Sequence, residues 1–359
     1  MNDLVENTLR HLEKLVAADT QNPPRDIDED GIFSYVREQL DGFETEAYDL
    51  GEGCIGLHAR RGEPDLLFNF HLDTVPASDD WSSDPFGLRV DEERAVGLGA
   101  CDIKGASACM LAAIAETEGD VALLFTSDEE AGSSLCVRHF LADTHEYRGV
   151  VVAEPTKGAA VAEHRGIMTA TATFRGIAGH ASNARALDDN ALHHAVRWAE
   201  EALAYASYRE GEDFRGLRGI RFNLGTVEGG TKPNVIAPSA EVRFGFRPRP
   251  DQSPERIYDN LRDLAPDPER VEWERGFVAP ALPSPSASSD SGRQLAGELG
   301  LDVAEPVDFW TEAALFSDAG YPTVVFGPGD IDQAHTADEW VALEQLERVA
   351  ESYVELLAE

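Results

Sequence analysis

The feature that most constrains this chain is the alternation of short apolar runs with helical patterns between residues 65 and 155. The apolar runs are "LLFNF", "DVALLFTS" and "GVVVAEP", and the helical pattern "GASACMLAAIAETEG" lies between the first two. Strands and helices that alternate at this pace are typical of a sheet with parallel strands. A similar run, "YPTVVFGPG", returns near residue 321. We therefore predict an α/β fold with a mostly parallel sheet covered by helices.

The middle of the chain has a different pattern, in which apolar and polar residues alternate one by one, with a period of two residues. Four such stretches occur, "GIMTATATFRG", "GIRFNLGTVEGG", "SAEVRFGFRPRP" and "ERVEWERG", with two helical stretches among them. This order predicts a β-α-β-β-α-β unit, an inserted α+β ferredoxin-like domain. The predicted boundaries are 1–164 and 277–359 for the first domain and 165–276 for the insertion. The tract "APALPSPSASSDSG" is then the return connection, and a flexible linker between independent domains is the alternative.

Composition narrows the classes of partner and the cellular setting. With 30 basic and 67 acidic residues the formal net charge is -37, which repels nucleic acid and anionic membranes. Self-repulsion of this size is best tolerated where salt screens it, so we predict a halophilic host. The start "MNDLVENTLRHLEKLV" has apolar residues at helical spacing and predicts an amphipathic helix rather than a signal peptide. The four cysteines lack C-x-x-C spacing, which favours free thiols and a cytoplasmic location.

Polar residues follow the first apolar run at the point where the strand should end. His71 and Asp73 come directly after "LLFNF". Residues two apart in an extended segment point to one side, so Asp73 can fix the tautomer of a metal-binding His71. A histidine at a strand end is also a common hydrogen-bonding residue, and the pair alone does not distinguish the two interpretations.

Other strand ends supply further candidate ligands. Asp128–Glu130 follows "VALLFTS", Glu154 follows "GVVVA", Asp102 begins a helical run, and His335 follows the last strand. Solvated surface is the alternative interpretation of the acidic triplet. Ligands bind at the carboxyl ends of strands in open α/β sheets. Two histidines with three or four carboxylates suit two zinc ions or a similar divalent pair, with one carboxylate bridging them.

The glycine-rich stretch "GLGACDIKG" does not indicate a nucleotide site. Asp102 replaces the third glycine of G-x-G-x-x-G, and no G-K-[ST] sequence occurs. No G-x-S-x-G elbow is present either. Dinucleotide, phosphate-loop and serine-hydrolase functions are therefore not supported.

Several short motifs in a fixed order carry a family resemblance over nearly the whole chain. They include "HLDTVP", "GLGACDIKG", "TSDEEAGS", "AEPT", "GIAGHAS" and "NLGTVEGGTKPNVI". With these motifs the chain resembles the M20 family of dinuclear metallohydrolases, and within it the acetylornithine deacetylase group. The resemblance implies a zinc-peptidase-like catalytic domain, an inserted lid and dimerisation domain, and a homodimer. It also implies two divalent metal ions, zinc in the first place and cobalt as the alternative.

The resemblance implies roles for individual residues of the first domain. The implied metal ligands form two groups that share Asp102: His71, Asp102 and Glu154, and Asp102, Glu130 and His335. Asp73 is implied to orient His71, and Glu129 to be the general base that activates water. The peptide bond between Asp102 and Ile103 is expected to be cis.

Four residues are candidates for substrate binding. His180 in "GIAGHAS" and Asn234 in "KPNVI" resemble residues that the lid contributes, the histidine often from the partner subunit. Arg247 resembles an arginine that binds a substrate carboxylate, although Gly245 replaces the usual aspartate two positions earlier. Glu312 in "TEA" is expected to receive the side-chain ammonium of the substrate, and a surface glutamate is the alternative.

The expected reaction is hydrolysis of N-acetylornithine to ornithine and acetate, a step of arginine biosynthesis. The sequences "GLG", "TEA" and "DIDQAH" favour this substrate within the family. The alternatives are a succinyl-diaminopimelate desuccinylase, a carrier-linked lysine or ornithine hydrolase, and an M20 carboxypeptidase or dipeptidase. A non-catalytic binding relative is a more distant alternative.

Overall fold

The computed structural model describes residues 2–358, and its contacts divide the chain into two compact units. The first unit comprises Met1–Ala162, Ser286–Ala304 and Thr311–Glu359, and the second comprises Glu163–Pro285 and Glu305–Trp310. The predicted boundaries at 164/165 and 276/277 differ from these. One reason is that the last strand of the second unit, Val271–Ala279, continues past residue 276. Another is that the Trp310 indole N–H donates to the carbonyl of Pro280 at 3.0 Å, within the second unit.

The strands run along the chain in the following order: β1 Glu44–Asp49, β2 Ile55–Arg61, β3 Leu66–His71, β4 Arg89–Val90, β5 Arg94–Val96, β6 Val121–Thr126, β7 Gly149–Val152, β8 Ile167–Arg175, β9 Gly179–His180, β10 Asp213–Phe214, β11 Leu217–Arg218, β12 Arg221–Gly229, β13 Val235–Ile236, β14 Ser239–Arg247, β15 Val271–Ala279, β16 Thr323–Val325 and β17 Trp340–Ala342. The α-helices are α1 Asp3–Ala17, α2 Ile32–Glu38, α3 Lys104–Glu116, α4 Leu135–Phe140, α5 Ala191–Tyr208, α6 Pro254–Asp263, α7 Ser291–Glu298, α8 Ala313–Asp318 and α9 Leu343–Ala358. Short 3-10 helices span Ala184–Leu187, Pro268–Arg270 and Ile331–Gln333.

The first unit is built on a sheet with the strand order β1-β2-β6-β3-β7-β16. Strands β6, β3, β7 and β16 pair in parallel, whereas β1 and β2 add an antiparallel edge. Every residue of β3, β6 and β7 is buried, as expected for strands covered on both faces. The predicted α/β class with a mostly parallel sheet is confirmed.

Helix α3 and aromatic side chains form much of the core of the first unit. Helix α3 packs against α1 and α9, and eleven of its thirteen residues, Lys104 to Ile114, are buried. Tyr353 of α9 is fully buried, and its ring meets those of Phe68, Phe70 and Phe326 nearly edge-on. Because these rings come from β3, α9 and the segment after β16, parts of the chain that are distant in sequence pack into one core.

The second unit contains an antiparallel sheet with the strand order β12-β14-β8-β15. Along the chain the main elements follow the order β8, α5, β12, β14, α6 and β15, which is the predicted β-α-β-β-α-β order. Burial alternates residue by residue along β8 and β14 because only one face is packed. The buried Trp198 of α5 contacts the rings of Phe174, Phe244 and Trp273 on that face.

The tract between Ala279 and Gly292 is not a plain flexible linker. Leu282 and Ser284 are buried, and the backbone of Leu282 exchanges two hydrogen bonds with that of His164. This part of the tract is therefore packed within the second unit.

Cys54, Cys101, Cys109 and Cys136 are buried and unpaired. Among the described residues no helix is both long enough and apolar enough to cross a bilayer.

Candidate metal centre

The predicted ligands all lie at one edge of the first unit's sheet, beyond the carboxyl ends of its strands. His71 is the last residue of β3, Glu130 follows β6, and Glu154 follows β7. Asp102 lies just before α3, and His335 follows the 3-10 helix Ile331–Gln333. Parallel strands end at the same edge, which is why residues far apart in sequence meet here.

The first group of candidate ligands is fully enclosed. The Nε2 atom of His71 lies 3.1 Å from Oδ1 of Asp102 and 3.9 Å from Oε1 of Glu154. All three residues are buried. Their potential ligand atoms lie within 4.8 Å of one another, close enough to surround one ion.

The second group shares Asp102 with the first. The Nε2 atom of His335 lies 3.0 Å from Oε1 of Glu130 and 3.3 Å from Oδ2 of Asp102. Asp102 therefore presents Oδ1 to one histidine and Oδ2 to the other, which is the arrangement expected of a bridging carboxylate. The peptide bond between Asp102 and Ile103 is cis, as predicted.

Asp73 contacts the nitrogen of His71 that faces away from Asp102, and Asn22, which the sequence did not reveal as part of the site, binds Asp73. Nδ1 of His71 lies 3.1 Å from the carbonyl oxygen of Asp73 and 3.5 Å from its Oδ1. Oδ2 of Asp73 accepts hydrogen bonds from the Asn22 side chain and from the backbone N–H of Glu130, each at 3.0 Å. The carbonyl oxygen and Oδ1 of Asp73 favour a proton on Nδ1 of His71, which leaves Nε2, on the side of Asp102, as the nitrogen available to a cation.

The electrostatics of the centre reflect many acidic groups in little water. Burial raises the pKa of Glu154 well above its ordinary value, and the nearby Asp102 carboxylate adds to this effect. Burial also raises the pKa of Asp102, but hydrogen bonds from His335 and His71 outweigh it and hold that pKa well below the ordinary value. Hydrogen bonds to Asp102 and Glu130 raise the pKa of His335 to about 11. Each histidine thus lies in a field that favours a positive charge at its position.

This donor set fits a pair of divalent cations. Each group offers one imidazole nitrogen and two carboxylates, a combination suited to zinc and similar divalent ions. Buried carboxylates are stable when a cation neutralises them. The bridging position of Asp102 lets one carboxylate serve both groups.

Glu129 lies beside the centre but belongs to neither group. It is partly buried, and its pKa is raised well above the ordinary value by its low-polarity surroundings and by the charges of Glu130 and Glu312. A carboxylate with a raised pKa binds a proton more strongly than an ordinary glutamate, so it can take up a proton beside the candidate metal ligands and return it.

Glu312 is deeply buried just before α8. Glu312 is only 1% exposed, so the alternative of a surface glutamate is wrong. Its Oε1 atom has no hydrogen-bond partner in the described part of the chain. Burial and the nearby Asp128 carboxylate raise the pKa of Glu312 to about 8. The side chain therefore has an unused oxygen that a bound molecule could reach if it enters this part of the first unit.

The other predicted substrate residues belong to the second unit. His180 lies in β9, which pairs with β13, and Asn234 directly precedes β13. The carbonyl of Asn234 accepts a hydrogen bond from the backbone N–H of Ala181 at 3.0 Å, so His180 and Asn234 occupy neighbouring strand positions. Arg247 is the last residue of β14. Their roles in binding substrate remain predictions.

Two groups of histidine and carboxylate ligands that share one carboxylate suit a hydrolase that uses two metal ions. The profile of Peptidase family M20/M25/M40 matches residues 67–359, and the chain belongs to this family. The chain is an amidohydrolase of this family, and it contains two groups of residues that could hold metal ions.

Two relatives show where the chain lies within the family. It is 50% identical over 358 residues to an N-acetyl-L-citrulline deacetylase of Xanthomonas campestris, covering 98% of each chain. It is 32% identical over 322 residues to an acetylornithine deacetylase of Aliivibrio salmonicida, covering 84% of this chain and 83% of the relative.

Solved structures share the fold at low sequence identity. The aminopeptidase PepT of Bacillus cereus superposes with a TM-score of 0.75 at 19% identity, covering 98% of each chain. The M20 metallo-carboxypeptidase Sso-CP2 of Sulfolobus solfataricus gives a TM-score of 0.74 at 16% identity, covering 99% of each chain.

Proposed function

We propose that the protein hydrolyses the amide bond of an N-acetylated amino acid, with N-acetyl-L-citrulline as the first candidate substrate. The support for this substrate is the 50% identity to a protein named for that activity, over 98% of both chains. N-acetylornithine, the substrate expected from the sequence, is the second candidate. It is supported by the buried and unpaired oxygen of Glu312, which could receive an ammonium group.

The observation that supports a two-metal centre most strongly is the position of Asp102 between two histidines. Its two oxygens lie 3.1 and 3.3 Å from Nε2 of His71 and of His335. We propose that Asp102 bridges two ions, zinc in the first place, with Glu154 and Glu130 completing the two groups. When bound, such a pair polarises the amide carbonyl and makes water easier to deprotonate.

The protein's own groups perform the proton transfers and the positioning. Glu129 takes a proton from the attacking water on one carboxylate oxygen and delivers it to the nitrogen of the leaving amine. The raised pKa of Glu129 suits both steps because it makes the carboxylate a stronger base toward water than an ordinary glutamate. Asp73 keeps the ring of His71 in the orientation and tautomer in which Nε2 faces Asp102.

Substitution of the proposed base tests the reaction. Purified wild-type protein supplied with zinc or cobalt should release amine from N-acetyl-L-citrulline and N-acetylornithine. Glu129→Gln should lower kcat by about 10²–10⁴-fold while the protein keeps two metal equivalents. The matched control is Glu118→Gln at an exposed position, which should match the wild type. Full activity of Glu129→Gln, or no amine release by wild-type protein under these conditions, would contradict the proposal.

A second variant separates the two substrates. If Glu312 receives a side-chain ammonium, Glu312→Gln should reduce kcat/KM for N-acetylornithine much more than for N-acetyl-L-citrulline, whose side chain is uncharged. An unchanged ratio between the substrates would exclude this role. We further propose a homodimer formed through the second unit and binding contributions from His180, Asn234 and Arg247. Sedimentation analysis tests the homodimer, and single alanine variants test the three residues.

A further inference from the structure

Glu339 is buried, and both oxygens of its carboxylate accept hydrogen bonds from the backbone loop Gly99–Asp102. Oε2 accepts a hydrogen bond from the N–H of Gly99 at 3.0 Å. Oε1 accepts two more, from the N–H groups of Cys101 and Asp102, each at 2.9 Å. The backbone carbonyl of Glu339 accepts a fourth hydrogen bond, from the N–H of Gly97 at 3.0 Å. One residue thus provides acceptors for most of the loop that leads into Asp102.

The position of Glu339 in the chain gives this contact its significance. It lies four residues after His335, whereas the loop that it binds carries Asp102. Glu339 therefore connects the segments that supply two candidate ligands of the second group. The same two segments are also linked where β17 pairs with β5, and where the thiol of Cys101 donates to the carbonyl of Asp330 at 3.3 Å.

The loop can adopt this shape only under tight constraints. Gly99 has a φ of +77°, and a Cβ atom there would lie 2.7 Å from Cγ2 of Thr74. The N–H groups of Gly99, Cys101 and Asp102 all point to the Glu339 carboxylate. Only a carboxylate offers two acceptor oxygens and no donor, since the amide of glutamine would turn an NH₂ group toward one or more of these N–H groups.

We propose that Glu339 is a positioning residue that sets the place of Asp102 between the two ligand groups and so controls the affinity of the metal pair. It acts through the backbone of Gly99–Asp102 and has no contact with the reacting atoms. The inference depends on the proposed metal centre, and it adds a determinant of metal affinity that lies outside both ligand groups.

The test is a direct measurement of metal binding, independent of amide hydrolysis. Metal-free wild-type, Glu339→Gln and Glu339→Asp proteins are titrated with zinc by calorimetry, and bound zinc is counted after dialysis. Thermal unfolding of the metal-free proteins is measured in parallel. Glu344→Gln, at an exposed position of α9, is the matched control.

We expect Glu339→Gln to weaken zinc binding by about 10- to 100-fold, with the control unchanged. Glu339→Asp keeps both acceptor oxygens on a shorter stem and should lie between the wild type and Glu339→Gln. Saturating zinc should restore amide hydrolysis in Glu339→Gln with the KM of the wild type, which a general loss of structure would not allow.

Two outcomes would overturn the inference. One is a Glu339→Gln protein that binds two zinc equivalents with wild-type affinity. If that variant does not fold, unchanged zinc affinity of Glu339→Asp has the same meaning. A wild-type protein that binds no metal pair would instead contradict the proposed function, so the two failures can be distinguished.

Discussion

The two sheets differ in how deeply they bury their strands. In the first unit β3 and β6 are buried at every position, and buried histidines and carboxylates follow these strands. In the second unit β8 and β14 are buried only at every other position. A groove of about 830 Å³ lies over the open face of that sheet, with Thr169 and Arg243 among its lining residues.

The difference shows why similar residue types have different chemistry in the two units. Polar groups on the open face of the second sheet remain in contact with water, so their charges are screened. Polar groups at the strand ends of the first sheet lose that water and interact strongly with one another. The burial of the strand ends in the first unit, more than the number of acidic residues, creates a centre that can bind cations.

The largest expected effect is loss of function in the first unit without loss of its fold. Asp102→Asn removes the shared charge, so bound zinc should fall below two equivalents and kcat/KM should fall on the order of a thousandfold. The fold should persist because the loop's backbone is held by Glu339, not by the Asp102 side chain. Metal analysis and circular dichroism measure the two effects. Glu272→Gln, a change at an exposed position of the second unit, is the control. An equal loss of zinc and of kcat/KM in this control would contradict the expected difference between the two units.

The converse change should weaken the second unit and leave the metal centre intact. Trp198 is fully buried, and its indole N–H donates to the carbonyl of Leu261 at 2.7 Å. Trp198→Ala should therefore lower the free energy of unfolding of this unit by about 3–5 kcal/mol. Val196→Ala, on the exposed side of the same helix, should change it by less than about 0.5 kcal/mol. Urea unfolding measures the stability of both variants, and zinc titration of the folded proteins measures their metal affinity. A loss of zinc affinity in Trp198→Ala would contradict the expectation that this change leaves the metal centre intact.

Acid should destabilise the second unit through one buried histidine. Burial lowers the pKa of His164 to about 4; a hydrogen bond to the Arg165 carbonyl partly offsets this, and the charge of Arg247 adds to the lowering. The unfolded chain takes up this proton near the ordinary pKa of 6.5, so stability is complete above that pH and is lost as pH falls toward 4. The loss should reach about 3 kcal/mol.

Unfolding free energies measured between pH 7 and pH 4 test this expectation. His164→Gln should flatten the dependence on pH, because the variant has no proton to take up at this position. His193→Gln, a change at a half-buried position of α5, should leave the dependence as in the wild type. An equal slope in all three proteins would show that other groups cause the acid response.

Much of the fold could be predicted because its elements carry their own patterns. "LLFNF", "DVALLFTS" and "GVVVAEP" became β3, β6 and β7, and the alternating stretches became the second sheet. Strand β1 could not be found this way, since its sequence "ETEAYD" is mostly exposed and its place depends on pairing with β2. The two-residue strands β9 and β13 are too short to show any period.

The candidate ligands could be predicted because each follows a recognisable strand or motif. Asn22 and Glu339 could not, although both contact the centre's supporting groups. Asn22 stands in "QNPPRD", which has no periodic pattern, and Glu339 is one of 67 acidic residues. Their importance comes from which backbone and side-chain groups they meet after folding, and a linear pattern does not contain that information.

The order of elements along the chain also has a consequence for biosynthesis. The second unit is almost continuous in sequence, whereas the first needs α9, which packs against α1 and α3. Domains fold as units while the ribosome extends the chain. We therefore expect the inserted unit to fold first during translation, whereas the first unit can complete its fold only after α9 has been made. Because His335 follows this unit in the sequence, the nascent protein acquires its complete set of ligands only after the inserted unit has been made.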